Sequence, residues 1–172
     1  NSRTFIHLST LNDPIKNISG ILRAVKILSE KRNDFSLHIF GIQDIDKHIR
    51  FAEELGIYGN QVSIYPYIPH DEVPLRLSRS MCVVMFSNFE SLPCIITEAL
   101  ACGIPVVSSD VGGIGEYITE KEGILVPKGD ENALASAMEF MLDNIGQYSP
   151  KHLREYAIQH FSHESVASKL DS

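Results

Sequence analysis

The chain has 172 residues, of which 44% are hydrophobic and 22% charged, a composition typical of a globular protein. A chain of this length fits one domain, whose folding hides roughly 70% of the surface that the unfolded chain exposes. The net charge is −7, from 22 acidic and 15 basic residues, so the basic balance of a nucleic-acid-binding domain is lacking. We therefore expect no nucleic-acid partner, and local features must hold any anionic ligand.

Cysteine usage and apolar runs indicate a cytosolic chain without a membrane segment. Cys82, Cys94 and Cys102 are odd in number, sit among apolar residues and lack metal-site spacing, so we interpret them as reduced core residues. No run approaches the roughly 18 apolar residues of a membrane span, and no signal peptide is recognisable. The chain begins at Asn1 without a methionine, which suggests a piece of a longer protein.

Short apolar runs and helical periodicities alternate along the chain. Strands are predicted at 4–8, 36–40, 62–65, 81–86, 104–108 and 123–126. Helices are predicted at 18–28, 44–55, 72–77, 91–102, 134–142, 151–160 and 164–170, with Asp130 placed to cap the helix at 134–142. This alternation predicts an α/β fold with a doubly wound, Rossmann-like, mainly parallel six-stranded sheet that carries helices on both faces.

The loops at the carboxyl ends of the strands are the candidate binding loops, because ligands of doubly wound sheets bind there. These loops begin at Ser9, Gly41, Pro66, Ser87 and Ser109.

The stretch 89–118 holds two carboxylates directly after an apolar strand; it reads F-E-S-L-P-C-I-I-T-E-A-L-A-C-G-I-P-V-V-S-S-D-V-G-G-I-G-E-Y-I. Proline is tolerated at the first helical position, so a helix is predicted to begin at Ser91-Leu92-Pro93 and to stop at Gly103. Glu98 then lies at the edge of the apolar face of this helix, where a charge is costly unless a partner pairs with it.

The segment F-E-S-L-P-C-I-I-T-E-A-L-A-C-G-I-P-V-V-S-S-D-V-G-G-I resembles the signature of the family 4 (group 1) nucleotide-sugar glycosyltransferases, which have the GT-B fold. Further segments agree in order and spacing, namely S-T-L-N-D-P-I-K-N, L-H-I-F-G, V-S-I-Y-P-Y-I-P-H-D-E-V-P, G-I-L-V-P-K-G-D and F-S-H-E-S-V-A. The resemblance covers practically the whole chain. It implies that residues 1–172 form one domain, the donor-binding half of a two-domain enzyme. Residues 161–172 would cross back toward the absent N-terminal acceptor domain.

The resemblance also implies roles for three charged residues. Glu98 corresponds to the glutamate that hydrogen-bonds the donor ribose, and a carboxylate suits this because it accepts two hydroxyl protons. Glu90 corresponds to the glutamate that contacts the transferred sugar and is the candidate catalytic residue. Because the resemblance implies retention of configuration without an established enzyme nucleophile, we assign Glu90 a sugar-binding and electrostatic role. Lys16 corresponds to the lysine that contacts the diphosphate.

An anion site is expected at the start of the helix in the central stretch. Its donors would be the backbone N–H groups of Leu92, Cys94 and Ile95 together with the helix dipole. Such a terminus typically contributes about 0.3–1 kcal/mol, and up to about 2 kcal/mol when partly buried. Because this contribution is modest, a cation such as Lys16 is expected to assist it.

The turn Ser9-Thr10-Leu11 departs from the family, which usually has arginine in a G-R-L turn at this place. A charge-assisted hydrogen bond contributes about 1.5–3 kcal/mol. Thr10 in place of arginine is therefore expected to weaken diphosphate binding by roughly tenfold to a hundredfold. Its hydroxyl remains a candidate donor to the diphosphate.

Three further residues are softer candidates for donor binding. Gly41 would let the backbone approach a ligand closely, although a turn at a strand end explains it equally well. Tyr67 and Ile68 occupy the loop that contacts the base in the family. His160 and His163 lack a third ligand, so no metal is expected.

The resemblance thus implies a retaining glycosyltransferase that transfers a sugar from a nucleoside diphosphate to an acceptor in cell-surface polysaccharide or glycoconjugate synthesis, without a cofactor. Two alternatives stay open: an epimerase-like GT-B domain acting on nucleotide sugars, and a non-catalytic α/β nucleotide-binding module. A cytoplasmic enzyme is implied, with peripheral association at the inner face of the membrane left open. The isolated chain is expected to be catalytically silent, because the acceptor pocket belongs to the absent half.

Overall fold

The structure, a computed structural model, describes residues 3–161. The strands in these residues are β1 (Thr4–Leu8), β2 (Ser36–Gly41), β3 (Val62–Pro66), β4 (Cys82–Met85), β5 (Val106–Ser109) and β6 (Gly123–Val126). The helices are α1 (Asp13–Lys16), α2 (Ile18–Ser29), α3 (Ile45–Glu54), α4 (Val73–Ser78), α5 (Cys94–Ala101), α6 (Glu131–Asn144) and α7 (Pro150–Phe161). The predicted helix at 164–170 lies outside the described residues.

All six strands form one sheet in the order β3-β2-β1-β4-β5-β6, and every neighbouring pair is parallel. The predicted doubly wound, six-stranded sheet is therefore confirmed. The strand order reverses between β1 and β4, which are neighbours in the sheet although β2 and β3 intervene in the chain. A crevice opens beyond the carboxyl ends of two strands at such a reversal, and ligands of this fold class bind there.

Helices cover the sheet in two packed groups, α2 with α3 and α6, and α5 with α4 and α7. Every residue of β4 and β5 is buried. Successive side chains of a strand point to opposite faces, so both faces of these two strands must be covered. This explains why the two strands are continuous apolar runs or end in buried serines rather than alternating with exposed polar residues.

Three boundaries differ from the predictions for local reasons. The predicted loop 9–17 contains helix α1, which has a proline in its first turn and is followed by Asn17 in a left-handed conformation, φ 51°. Helix α5 begins at Cys94 and has Pro93 at its N-cap, so the predicted start at Ser91-Leu92-Pro93 is wrong by up to three residues. Strand β5 begins after Pro105, which has no N–H to donate to a ladder.

Two predicted helix boundaries are confirmed by their hydrogen bonds. The Asp130 side chain accepts from the Ala133 N–H at 2.8 Å and caps α6. Gly103 follows α5 with φ 78°, and the next N–H, of Ile104, donates to the Ala99 carbonyl at 2.9 Å.

The three cysteines do not share one environment. Cys82 is buried, and its burial raises the pKa of the thiol far above its ordinary value. Cys102 is half-buried, whereas Cys94 is exposed at the first residue of α5. The prediction of a core position is therefore wrong for Cys94. Among residues 3–161, no helix is long and apolar enough to cross a membrane.

A buried carboxylate ties α7 to the loop before β6. Glu122 accepts from His152 Nε2 at 2.8 Å through one oxygen, and from the Thr119 N–H at 3.1 Å and hydroxyl at 2.5 Å through the other. Burial alone would raise the pKa of Glu122, but these hydrogen bonds outweigh it and hold the pKa below its ordinary value. The carboxylate is therefore a stabilising group in its charged form.

Replacing this carboxylate, Glu122→Gln, is expected to lower the free energy of unfolding by about 1–3 kcal/mol near neutral pH. Because the folded pKa lies below the unfolded one, the carboxylate's contribution is present above roughly pH 4.5 and is lost as pH falls through the folded pKa. Urea denaturation across this range should show that the difference in the free energy of unfolding between Glu122→Gln and wild type shrinks as the pH falls. Glu120→Gln, at an exposed neighbour, is the control, and a gap that is independent of pH would contradict the assignment.

Candidate functional site

From the strand order, the crevice of this fold class would lie between the loop after β1, residues 9–17, and the loop after β4, residues 86–93. Asn88 joins the two loops: its N–H donates to the Ile15 carbonyl at 2.7 Å, and its side-chain amide donates to the Pro14 carbonyl at 3.1 Å. The loops are thus held together by backbone hydrogen bonds as well as by side chains.

An ion pair between Lys16 and Glu90 spans the crevice. The Lys16 side chain is 18% exposed and the Glu90 side chain 9%, so both charges are largely removed from water. The same Glu90 oxygen, Oε1, also accepts a hydrogen bond from the Ser87 hydroxyl at 2.8 Å. Two residues that the family resemblance singles out for the sugar and the diphosphate are therefore in direct contact.

The loop after β5 supports the segment that carries Glu90. The Ser109 hydroxyl donates to the Ser87 carbonyl at 2.7 Å, and the Gly113 N–H donates to the Ser91 carbonyl at 2.9 Å. Gly112 has φ 57°, and a Cβ added there would lie 1.8 Å from the Glu90 carbonyl oxygen. Glycine is required at this position for both reasons. The glycines of this loop thus serve packing against the Glu90 segment.

Helix α5 presents free backbone donors at its N-terminus. Cys94 and Ile95 are its first two residues, and N–H groups at these positions have no partner within a helix. Leu92 precedes the N-cap residue Pro93, so its N–H is not part of the first helical turn. The predicted anion site thus has helical N–H donors at Cys94 and Ile95, and the contribution of the Leu92 N–H stays a prediction.

Glu98 lies in the second turn of α5 with its side chain about one-third exposed. Its Oε1 atom is 3.7 Å from Nδ1 of His70, an exposed residue in the loop after β3. Burial, and then the neighbouring Glu98 carboxylate, raise the pKa of the Cys102 thiol. His70 was not singled out in the sequence, because a histidine in a polar loop has no local signature.

The remaining candidates for donor binding occupy different environments. Thr10 is exposed at the carboxyl end of β1. A Cβ added at Gly41 would lie 2.3 Å from Leu11 Cγ and 2.5 Å from the Ser9 carbonyl oxygen, so this glycine accommodates the neighbouring loop. Tyr67 is 56% exposed, whereas the Ile68 side chain is 7% exposed and belongs to the core.

Two buried histidines border the loop after β1, and no sequence motif points to either of them. His7 on β1 and His48 on α3 are 0% and 1% exposed. Burial lowers the pKa of His7 to about 4, so its ring is neutral at physiological pH. A single histidine in an apolar strand has no spacing pattern that could have revealed its place beside this loop.

A second lysine reaches the same edge of the sheet from the loop after β6. Lys128 Nζ lies 4.1 Å from the centroid of the exposed Phe89 ring. This is a cation–π contact next to Glu90. Within residues 3–161, no group of three histidine, cysteine or acidic side chains is arranged to hold a metal ion.

The chain belongs to the family described as "Glycosyl transferases group 1", which matches residues 1–160. Among the curated relatives, the amylovoran biosynthesis glycosyltransferase AmsK of Erwinia amylovora is 29% identical over 130 residues. That match covers 72% of this chain and 32% of AmsK. The chain therefore spans about a third of the length of this relative.

Solved structures share the fold. TarM of S. aureus superposes with a TM-score of 0.86 at 22% identity, over 98% of this chain and 34% of TarM. HepE of Anabaena, in complex with UDP-glucose, superposes with a TM-score of 0.84 at 22% identity, over 99% of this chain and 49% of HepE. The expected fold class, the α/β domain of GT-B glycosyltransferases, is confirmed by these superpositions and by the family match.

Adding a methyl group at the Glu90 contact, Gly112→Ala, is expected to lower the free energy of unfolding by about 2–4 kcal/mol. The left-handed backbone accounts for about 1–2 kcal/mol of this and the clash with the Glu90 carbonyl for the rest. Gly129→Ala is the matched control, since Gly129 has φ 74° but open space around the position of a Cβ. Urea denaturation should rank Gly112→Ala well below Gly129→Ala; equal losses would show that the contact with Glu90 is unimportant.

Proposed function

We propose that this chain is the donor-binding domain of a retaining glycosyltransferase that transfers a sugar from a nucleoside-diphosphate sugar to an acceptor in cell-surface polysaccharide or glycoconjugate synthesis. The observation that carries the proposal is the Lys16–Glu90 pair in the crevice, beside the free N–H groups of α5. The family match and the name of the relative AmsK support sugar transfer. The HepE complex with UDP-glucose supports a nucleotide sugar as the donor.

The diphosphate of the donor would lie between Lys16 and the start of α5. An ammonium group has three hydrogen-bond donors, so Lys16 can contact a phosphate oxygen while it still pairs with Glu90. The N–H groups of Cys94 and Ile95, together with the dipole of α5, add partial positive charge from the other side. Two kinds of hydrogen-bond donor, an ammonium group and backbone N–H groups, together with the helix dipole, would thus act on the anionic charge.

The nucleoside would extend from the diphosphate toward the loop after β3. Glu98 can accept hydrogen bonds from both ribose hydroxyls through its two oxygens. His70, 3.7 Å from Glu98, borders the same place. The exposed Tyr67 ring is available to the base, whereas Ile68 can contribute only its backbone because its side chain is in the core.

Glu90 would face the sugar, at the point where the glycosidic bond to the diphosphate breaks. In a retaining transfer the diphosphate leaves with the bonding electrons, and the acceptor oxygen forms the new bond on the same face of the sugar. The acceptor hydroxyl gives its proton to the departing diphosphate oxygen. Lys16 stabilises the negative charge that develops on the leaving diphosphate, and the Glu90 carboxylate stabilises positive charge that develops on the sugar. Thr10 supplies a neutral hydroxyl at this place.

The remaining parts of the proposal concern the whole protein. The acceptor would be bound by an N-terminal domain of the same polypeptide, and the enzyme would act in the cytoplasm or at the inner face of the membrane. No metal or other cofactor is proposed, because Lys16 and the N-terminus of α5 supply the positive charge that a diphosphate requires. No nucleic-acid partner is proposed for a chain of net charge −7.

Calorimetric titration with UDP-, GDP- and ADP-sugars tests the proposal, and one of them is expected to bind. Lys16→Met should weaken this binding by about tenfold to a hundredfold, because a charge-assisted hydrogen bond is lost. Glu98→Gln should weaken it by about tenfold, because the amide replaces one of two acceptor oxygens.

Lys31→Met is the control, since Lys31 follows α2 in the chain, at the opposite edge of the sheet, and pairs with Glu139. Its binding should equal that of wild type. Failure of wild type to bind any of the three classes of donor would refute the donor-binding function. It would also be refuted if Lys16→Met and Glu98→Gln bound the donor as tightly as wild type.

The 172-residue chain alone is expected to be catalytically silent. Every proposed contact of this domain is to the donor, and no acceptor group is placed next to the sugar. With this chain, the rates of donor hydrolysis and sugar transfer should stay at background. Both rates are measured by the release of the nucleoside diphosphate. Transfer of sugar to an added acceptor by residues 1–172 would overturn the assignment of the acceptor to another domain.

A further inference from the structure

The turn at the end of β1 adopts an unusual backbone. We call residues Ser9–Asn12 the β1 turn. Leu11 in this turn has φ 60°, a left-handed conformation that costs energy for a branched side chain. Its side chain is fully buried and fills the space beside Gly41. Such a conformation persists only where the surroundings determine it, so the contacts around Leu11 define the turn.

A chain of three hydrogen bonds holds the N–H side of Leu11. The Leu11 N–H donates to Ser9 Oγ at 3.0 Å, Ser9 Oγ lies 2.8 Å from His7 Nε2, and His7 Nδ1 lies 2.8 Å from the Val84 carbonyl oxygen. The carbonyl can only accept, so Nδ1 carries the proton of the neutral ring. Nε2 must then accept from the Ser9 hydroxyl, which is left free to accept from Leu11.

The carbonyl side of Leu11 is held by a second histidine. His48 Nε2 donates to the Leu11 carbonyl oxygen at 3.0 Å. One buried imidazole, of His7 on β1, thus holds the Leu11 N–H through Ser9, and a second, of His48 on α3, holds the carbonyl directly. The turn is set before any ligand arrives.

His7 acts where two strands part. The ladder between β1 and β4 pairs Phe5 with Cys82 and Ile6 with Val83, and goes no further. At the next position, a hydrogen bond from the His7 side chain to the Val84 carbonyl connects the two strands instead of a backbone hydrogen bond. This hydrogen bond thus fixes the position of the β1 turn relative to β4, the strand that precedes Glu90.

The donors that the β1 turn leaves unused belong to Thr10. Among the described residues, neither the N–H nor the hydroxyl of Thr10 has a hydrogen-bond partner; only its carbonyl is engaged, by the Gln43 N–H at 3.1 Å. Thr10 is exposed at the carboxyl edge of the sheet, in the loop that leads to Lys16. An unpaired backbone N–H and an unpaired hydroxyl, in the same loop as Lys16, are suited to bind a phosphate group.

We propose that His7 is a positioning residue for donor binding: acting through Ser9, and together with His48, it presets the β1 turn so that the N–H and hydroxyl of Thr10 bind a phosphate of the donor. His7 itself does not contact the ligand. This inference rests on the proposed donor-binding function.

Two substitutions of the same residue separate the two ring nitrogens. In His7→Gln the longer side chain places its amide where Nε2 lies, so the Ser9 hydroxyl keeps an acceptor and the bond to Val84 is lost. In His7→Asn the shorter side chain places its amide where Nδ1 lies, so the bond to Val84 survives and the Ser9 hydroxyl loses its acceptor. Ser9→Ala removes the connecting hydroxyl with little change in volume.

Calorimetric titration of the 172-residue chain with UDP, GDP and ADP provides the readout, together with thermal melting. Wild type should bind at least one nucleoside diphosphate. His7→Asn and Ser9→Ala should bind it about tenfold more weakly, as expected for one lost hydrogen bond in the site, while His7→Gln stays within about threefold of wild type. Thr119→Val, in the Glu122 cluster, should melt earlier but bind like wild type.

Each other outcome contradicts a particular claim. Equal binding by wild type, Ser9→Ala and His7→Asn would overturn the positioning role while leaving the donor-binding function intact. Binding losses that simply follow the melting temperature, with His7→Gln no better than His7→Asn, would reduce His7 to a stabilising residue. A wild-type chain that binds none of the three nucleotides would refute the proposed function, and this inference with it.

Discussion

The ion pair between Lys16 and Glu90 is the interaction on which the rest of the site depends. The two residues are 74 positions apart in sequence and meet because the strand order reverses between β1 and β4. Both side chains are largely buried, so each charge offsets the hydration that the other has lost. A phosphate that enters the crevice must share Lys16 with Glu90 or replace Glu90 as its partner. In the proposed function, donor binding and the orientation of Glu90 are therefore coupled.

Left-handed backbone at non-glycine residues occurs, in the described part of the chain, in the loops after β1 and β2. The non-glycine residues with positive φ in the described part of the chain are Leu11, Asn17 and Asp44, and all of them lie in loops after β1 or β2. Such conformations cost about 1–3 kcal/mol each and persist where neighbouring contacts determine them. At Leu11 those contacts are known, since two buried histidines and Gly41 surround it. The turn that carries Leu11 is therefore held in its conformation by its neighbours.

Sequence patterns predicted the fold because each strand and helix is recorded locally, in the period of its apolar residues. Sequence patterns gave wrong predictions where the same local pattern is compatible with two structures. Proline is accepted both in the first turn of a helix and at the residue before it, and Pro93 takes the second place. Apolar neighbours made Cys94 resemble a core residue, but the first residue of α5 is exposed. The site residues were found through the family resemblance, and their roles stay predictions.

The sequence by itself determined the α/β class, the six strands, the limits of most helices and the stretch that carries both glutamates. These features follow from interactions between residues that are close in the chain, such as the Asp130 cap and the Gly103 stop. Only the tertiary structure decided that Glu90 pairs with Lys16, that His70 lies beside Glu98, and that His7 and His48 fix the β1 turn. These contacts join different loops, helices and strands through the order of the sheet, and nothing in the local spacing of a residue records which distant segment will lie against it.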